Sequence, residues 1–334
     1  MTEKTSWYQA VPKAELHLHL EGAIPLETLW ELVLKYGGDQ EVPDLAALEQ
    51  KFEYRDFPHF IDIWVWKNQF IREYEDFTFL AEAFARDLVS QNIRYVETFY
   101  SPPDFARFGL TIQEITAAIR KGLDRVPAVK VYLIPDLVRD FGPEQAGVSL
   151  QKVNEVRELG IPGVGIGGSE QLFPPEPFAA VYEEARRLGF HTTAHAGEVV
   201  GAESVWGAVN SLHVDRIGHA THAEEDERLL DFLAEEQIPL ELCPISNVCT
   251  GSVSSYEQHP VRRYFDRGLK ISINTDDPKM FGNSLAEEYR RLVEIMGFTT
   301  EDIRKVLLQT IDASWQSEEE KHSLRQEFIN SPDW

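Results

Sequence analysis

Three short stretches gather side chains that bind cations and move protons: "HLHLEG" with His17 and His19, "HAGE" with His195 and Glu198, and "NTDDP" with Asp276 and Asp277. A fourth, "IGHA", adds His219. In an extended chain residues i and i+2 point to the same face, so His17 and His19 would converge on one point off a strand. Alone, such a pair is better explained by two buried, hydrogen-bonded histidines. Neutral imidazoles with one carboxylate form a ligand set for Zn²⁺, and the same donors accept Fe²⁺, Mn²⁺ or Co²⁺. His17, His19, His195 and Asp276 compose that set, one protein ligand more than most catalytic zinc sites use, and five-coordinate with a water. Glu198, three residues beyond His195, could reach a substrate atom without touching the cation, as a general acid or base does. The plainer alternative is a glutamate satisfying a helix N-terminus. His219 could orient or deprotonate the water, and Asp277 could accept a hydrogen bond from a substrate ring nitrogen or N–H.

These residues act together only if separate elements carry them to one place. Short β-rich runs alternate with helical runs along most of the chain, the pattern of a parallel α/β fold. Strands are expected at 14–20, 93–100, 129–137, 164–168, 190–197, 214–220, 238–244 and 269–277. Helical patterns such as "IQEITAAIRKGLDRV" and "PFAAVYEEARRLG" lie between them, several closing on Gly as a helix C-cap prefers. Eight strands with intervening helices predict a closed (β/α)8 TIM barrel, in which catalytic groups sit at the carboxyl ends of the strands. Each polar cluster falls at such an end. Residues 26–92 are long, helical in pattern and rich in aromatics, and read as extra helices beside the barrel mouth; residues 284–334 read as helical. With no low-complexity linker, residues 1–334 are expected to form a single domain.

Composition narrows the partners. The 32 basic and 56 acidic side chains leave a net charge of −24, which repels nucleic-acid phosphates and anionic membrane surfaces. Hydrophobic residues make up 43% of the chain, enough for a full core, with no stretch of membrane-spanning length. Two cysteines, Cys243 and Cys249, and an amino terminus without a signal-peptide core suit a soluble protein of a reducing cytoplasm. The expected partner is a small molecule; the oligomeric state is not legible.

The motifs "HLHLEGA", "HAGE", "GHA", "CPISN" and "NTDDP", in this order, resemble the adenosine deaminase family of the amidohydrolase superfamily, across nearly the whole chain. The resemblance implies His17, His19, His195 and Asp276 as zinc ligands, Glu198 as the acid protonating purine N1, His219 as partner of the attacking water and Asp277 as the contact to N7. It also implies Gly168, within "GIGGSE", as the backbone N–H donor to N3, and a substrate-contacting role for Glu21. The implied reaction is hydrolytic deamination of adenosine or 2′-deoxyadenosine to inosine or 2′-deoxyinosine and ammonia. Two departures bear on substrate. "GVGIGGSE" is shorter than the family's usual segment and lacks its Asp, and Glu21 stands where many adenosine-specific members carry Asp. Adenine and 6-aminodeoxyfutalosine are therefore alternative substrates. A binuclear amidohydrolase is disfavoured because no Lys ends the fourth strand, and a cytidine-type deaminase because its Pro-Cys-x-x-Cys signature is missing. A non-catalytic purine-binding protein would be expected to have lost a ligand or Glu198, and neither is lost.

Overall fold

The computed structural model describes residues 6–54 and 57–334. Residues 1–5 of the amino terminus read above for a leader, and residues 55–56 of the insertion, lie outside the described residues. Eight parallel strands are present: β1 (Lys13–His19), β2 (Ile93–Tyr100), β3 (Lys130–Pro135), β4 (Gly163–Val164), β5 (His191–Ala196), β6 (Arg216–His219), β7 (Leu240–Leu242) and β8 (Ile271–Ile273). They pair in the order β1-β2-β3 and β4-β5-β6-β7-β8. Two parallel bridges, Leu18 with Asp276 and Asp136 with Gly165, join the two sets into a barrel. The strands are buried along most of their length because helices cover the outside of the barrel and side chains fill the inside.

The surrounding helices follow from local sequence. In Ile112–Leu123 the apolar residues Ile112, Ile115, Ile119 and Leu123 recur at helical spacing and are buried, and the Thr111 hydroxyl caps the first turn by accepting from the Glu114 N–H. The expected insertion holds four helices, Leu26–Lys35, Leu45–Lys51, Phe57–Asn68 and Tyr74–Ser90. The last belongs to the barrel's outer ring: it packs on Ile112–Leu123 so closely that a Cβ on Gly122 would lie 2.3 Å from the Thr78 carbonyl. The extra helices are thus the first three. Residues after β8 are helical, as expected, in Leu285–Glu294, Thr300–Ala313 and Glu318–Ile329.

Several strands are shorter than their apolar runs. The predicted 164–168 strand forms a continuous ladder only at Gly163–Val164, and 269–277 only at Ile271–Ile273, with single bridges beyond them at Gly165 and Asp276. The missing residues are those at the carboxyl ends, where the backbone leaves the ladder to aim side chains at the mouth. His219 and Asp276 adopt left-handed φ values of 62° and 64°, which cost a non-glycine residue energy and persist where surrounding contacts impose them.

Candidate active site and metal centre

The four barrel-end imidazoles and Asp276 meet at one point. His19 Nε2 lies 3.2 Å from His195 Nε2 and 3.3 Å from Asp276 Oδ1, and His17 Nε2 lies 3.5 Å from the same oxygen. Donor atoms of His17, His195, His219 and Asp276 all fall within 4.8 Å of one another. Outer contacts set which nitrogen of each ring faces inward. His17 Nδ1 is 2.9 Å from Glu241 and His195 Nδ1 is 3.1 Å from the Ile166 carbonyl; both partners only accept, so each Nδ1 carries the proton and Nε2 presents a lone pair. Asp276 takes the Ser246 hydroxyl on Oδ2 at 2.6 Å, leaving Oδ1 for the shared point. His17 Nε2 is buried with no hydrogen-bond partner. Converging imidazole nitrogens and a carboxylate oxygen around the orphaned His17 Nε2 fit a divalent cation.

Charge supports the same fit. Burial holds His19 down to about 3 and His195 well below its usual range, so both are neutral. For His17 burial acts downward too, but the carboxylates of Asp276 and Glu241 beside it push it up to about 10. The two carboxylates call for a positive charge here, and a cation would supply it in place of the proton.

His219 is distinguished from the others by the tautomer its neighbours impose. The Val261 backbone N–H, which can only donate, lies 3.1 Å from His259 Nδ1. His259 Nε2 therefore carries a proton and donates to Asn247 Oδ1 at 3.2 Å, leaving the Asn247 amide NH₂ to donate to His219 Nδ1 at 3.1 Å. Burial keeps His219 neutral, lowered to about 4, so its one proton sits on Nε2, 3.5 Å from Glu198 Oε2. That atom offers an N–H rather than a lone pair. The chemistry of the donors thus favours His19 over His219 as the fourth ligand, and orientation of a water by His219 over its deprotonation.

Glu198 stands across from the cation site. Burial, with the charges of Asp276 and Glu170 next, raises it to about 8, so it is protonated at neutral pH. Its position is set by Glu170, whose buried carboxylate accepts from the backbone N–H groups of Gly197, Glu198, Val199 and Val200 at 2.6–3.2 Å. Asp277 lines the same cavity, and its Oδ1 is buried without a partner. Burial and then Asp276 push its carboxyl well above the usual range, the direction that favours a protonated, donating form over the acceptor suggested by the sequence. Gly168 lies on the opposite wall, and no described group accepts its N–H.

Two expectations shift. Glu21 is buried at 1% exposure and accepts the Ser101 N–H at 2.9 Å; Ser101 lines the cavity and Glu21 does not. The aromatic run of Phe57–Asn68, read as core, is partly cavity wall: Phe60, Ile61 and Trp64 close over the mouth, with Trp64 Nε1 donating to Asp104 at 3.2 Å. Sequence reading missed Glu170, Glu241, Ser246, Asn247, His259 and Asp136. Glu241 and Asp136 had a signal, a charge inside or at the end of an apolar strand run. Glu170 had none, since its four partners are brought to it only by folding.

Fold and site together define an α/β barrel of the metal-assisted hydrolase kind, with a cation centre at the strand ends and a protonated carboxyl facing it. The chain belongs to the adenosine deaminase family, which it matches over residues 12–331. It is 33% identical to an adenine deaminase of Chlorobium phaeobacteroides over 94% of this chain and 95% of that one. It is 34% identical to an adenine deaminase of Ectopseudomonas mendocina over 92% and 98%. Among solved structures, adenine deaminase from Arthrobacter aurescens superposes with a TM-score of 0.89 at 28% identity, over 96% and 98%. An amidohydrolase from Burkholderia ambifaria with bound Zn gives 0.89 at 29%, over 98% and 93%. No helix among the described residues is long and apolar enough to cross a membrane.

Proposed function

We propose that this chain, acting as one domain, hydrolyses adenine to hypoxanthine and ammonia. The observation that carries this reading is the proton-loaded Glu198 facing a histidine and aspartate cation site across one cavity. His17, His19, His195 and Asp276 would hold the cation, Zn²⁺ being the metal bound in a similar structure. A divalent cation so held lowers the pKa of water to near neutrality.

The protein's own groups do the rest. Glu198 delivers its proton to N1, which draws electron density from C6 and eases attack there. His219 points its Nε2–H at the attacked face and holds the incoming water oxygen. Asp277 donates to N7 and the Gly168 N–H to N3, which fixes the ring's rotation in the slot. The water oxygen bonds to C6 and the C6–N6 bond breaks. Of the two water protons, one replaces the proton Glu198 gave to N1 and the other leaves on ammonia.

The sequence motifs put adenosine first; the similar proteins named adenine deaminases put the free base first. Asp104 and Asp136 add carboxylates to the cavity wall beside Glu198 and Asp277, a surface that disfavours a nucleotide phosphate. Ammonia release from adenine, adenosine, 2′-deoxyadenosine, AMP and 6-aminodeoxyfutalosine tests the reading. Adenine should exceed every other substrate in kcat/KM by at least about 100-fold, and a preference for adenosine overturns it.

A further inference from the structure

One buried carboxylate on the cavity wall has no part in the chemistry above. Asp136 follows β3, is 4% exposed and lines the cavity. Its Oδ1 accepts two backbone hydrogen bonds, from Val138 N–H and Gly167 N–H, both at 2.8 Å. No described residue donates to Oδ2. That oxygen packs against Gly167 at the cavity wall, an approach only glycine permits: a Cβ there would lie 2.7 Å from Asp136 Oδ2 and 3.3 Å from the His195 ring. Asp104 takes the Trp64 indole N–H, and Glu21 takes the Ser101 N–H with its Oε2 buried.

Gly168, the next residue after Gly167, carries the N–H assigned to purine N3. N3 and N9 are both bonded to C4 and lie on one edge of the ring, so an acceptor beside the N3 donor faces N9. Free adenine carries a hydrogen on N9, whereas a nucleoside carries the sugar carbon. We propose that Asp136 is the specificity-determining residue for the free base, accepting the N9–H through Oδ2. The proposal rests on the adenine reading and deepens it. A 9-substituted purine both sets carbon against Asp136 Oδ2 and leaves a buried carboxylate oxygen without its donor, the kind of mismatch that sites built around a hydrogen bond reject most strongly.

Asp136→Asn gives a clean test. The amide oxygen must take the two backbone N–H groups that Oδ1 now accepts, which leaves an NH₂ where Oδ2 was, a donor aimed at a donor. In metal-loaded enzyme, D136N and D136A should lower kcat/KM for adenine by at least about 100-fold with metal content unchanged, while activity on 9-methyladenine holds or rises. The adenine to 9-methyladenine ratio should therefore collapse. If that ratio stays at the wild-type value, Asp136 is not the N9 contact, although the adenine reading stands. If wild type fails to deaminate adenine while deaminating a nucleoside, both readings fall. Wild-type protein alone supplies a second measurement, free of any folding defect: hypoxanthine should inhibit at least about 100-fold more tightly than 9-methylhypoxanthine, and equal inhibition overturns the assignment.

Discussion

The division of labour among residues turns on which atoms carry protons. Glu198 serves as an acid only while protonated, and its raised value near 8 sets the sign of the pH dependence. Activity as kcat/KM should be flat through neutrality and fall about tenfold per pH unit above 8, because the reactive form is lost as pH rises through that value. A profile that instead gains activity above pH 8 would make Glu198 a base. Removing the acid and removing a ligand should differ in kind. Glu198→Gln should lower kcat by about 10²–10⁴ and keep the metal, as read by elemental analysis. His17→Ala should lose metal and activity together, since its Nε2 has no other partner.

Elements decide how firmly those atoms are held. The turn after β1 packs against Asp277 with no spare room: a Cβ on Gly22 would lie 1.7 Å from Asp277 Oδ1 and 2.5 Å from its Cγ. Gly22→Ala must push the Asp277 carboxyl out of place. A displacement of about 1 Å at a positioning group costs about 10² in rate, so kcat/KM for adenine should fall by about that factor with metal content unchanged. Unaltered kinetics would show that Asp277 does not contact the ring. A similar dependence holds the general acid: the turn carrying Glu198 is pinned by Glu170, a residue from the loop after β4. The segment Pro244–Cys249 after β7 supplies both Ser246 to Asp276 and Asn247 to His219.

At the scale of the whole molecule, the site is tied to the opposite end of the barrel through one buried cation. Arg216, 1% exposed, bonds Glu97 and Glu241 at 2.6 Å each, lies 3.6 Å over the Trp315 ring and donates to the Ala313 carbonyl. Glu241 in turn orients His17. The network joins the barrel floor, the carboxyl-terminal helices and the cation site. Arg216→Met would leave two buried carboxylates without their cation, a loss of roughly 3–5 kcal/mol, seen as a lower Tm and a lower denaturant midpoint. An unchanged Tm would mean the network contributes nothing net to stability.

Eight strands and the rim residues His17, His19, His195, Glu198, His219, Asp276 and Asp277 were legible in the sequence, because strand periodicity and motif position are local properties and a barrel places every strand's carboxyl end at one mouth. Of the helices between β1 and β2 expected beside that mouth, Phe57–Asn68 lines it, whereas Tyr74–Ser90 belongs to the outer ring. What local pattern could not show is which atoms face one another. Proton placement on His219 depends on Val261, His259 and Asn247, whose chain of hydrogen bonds exists only after β6 and β7 are side by side. Glu21, next to the metal motif, drew the substrate role by proximity in sequence, yet folding put Ser101 and Asp136, an unremarked residue in "IPDL", on the cavity wall and left Glu21 off it. Chemistry was thus written in residue types and spacing, while ring tautomers, the acid's anchorage and the choice of substrate edge were decided by contacts between segments far apart in the chain.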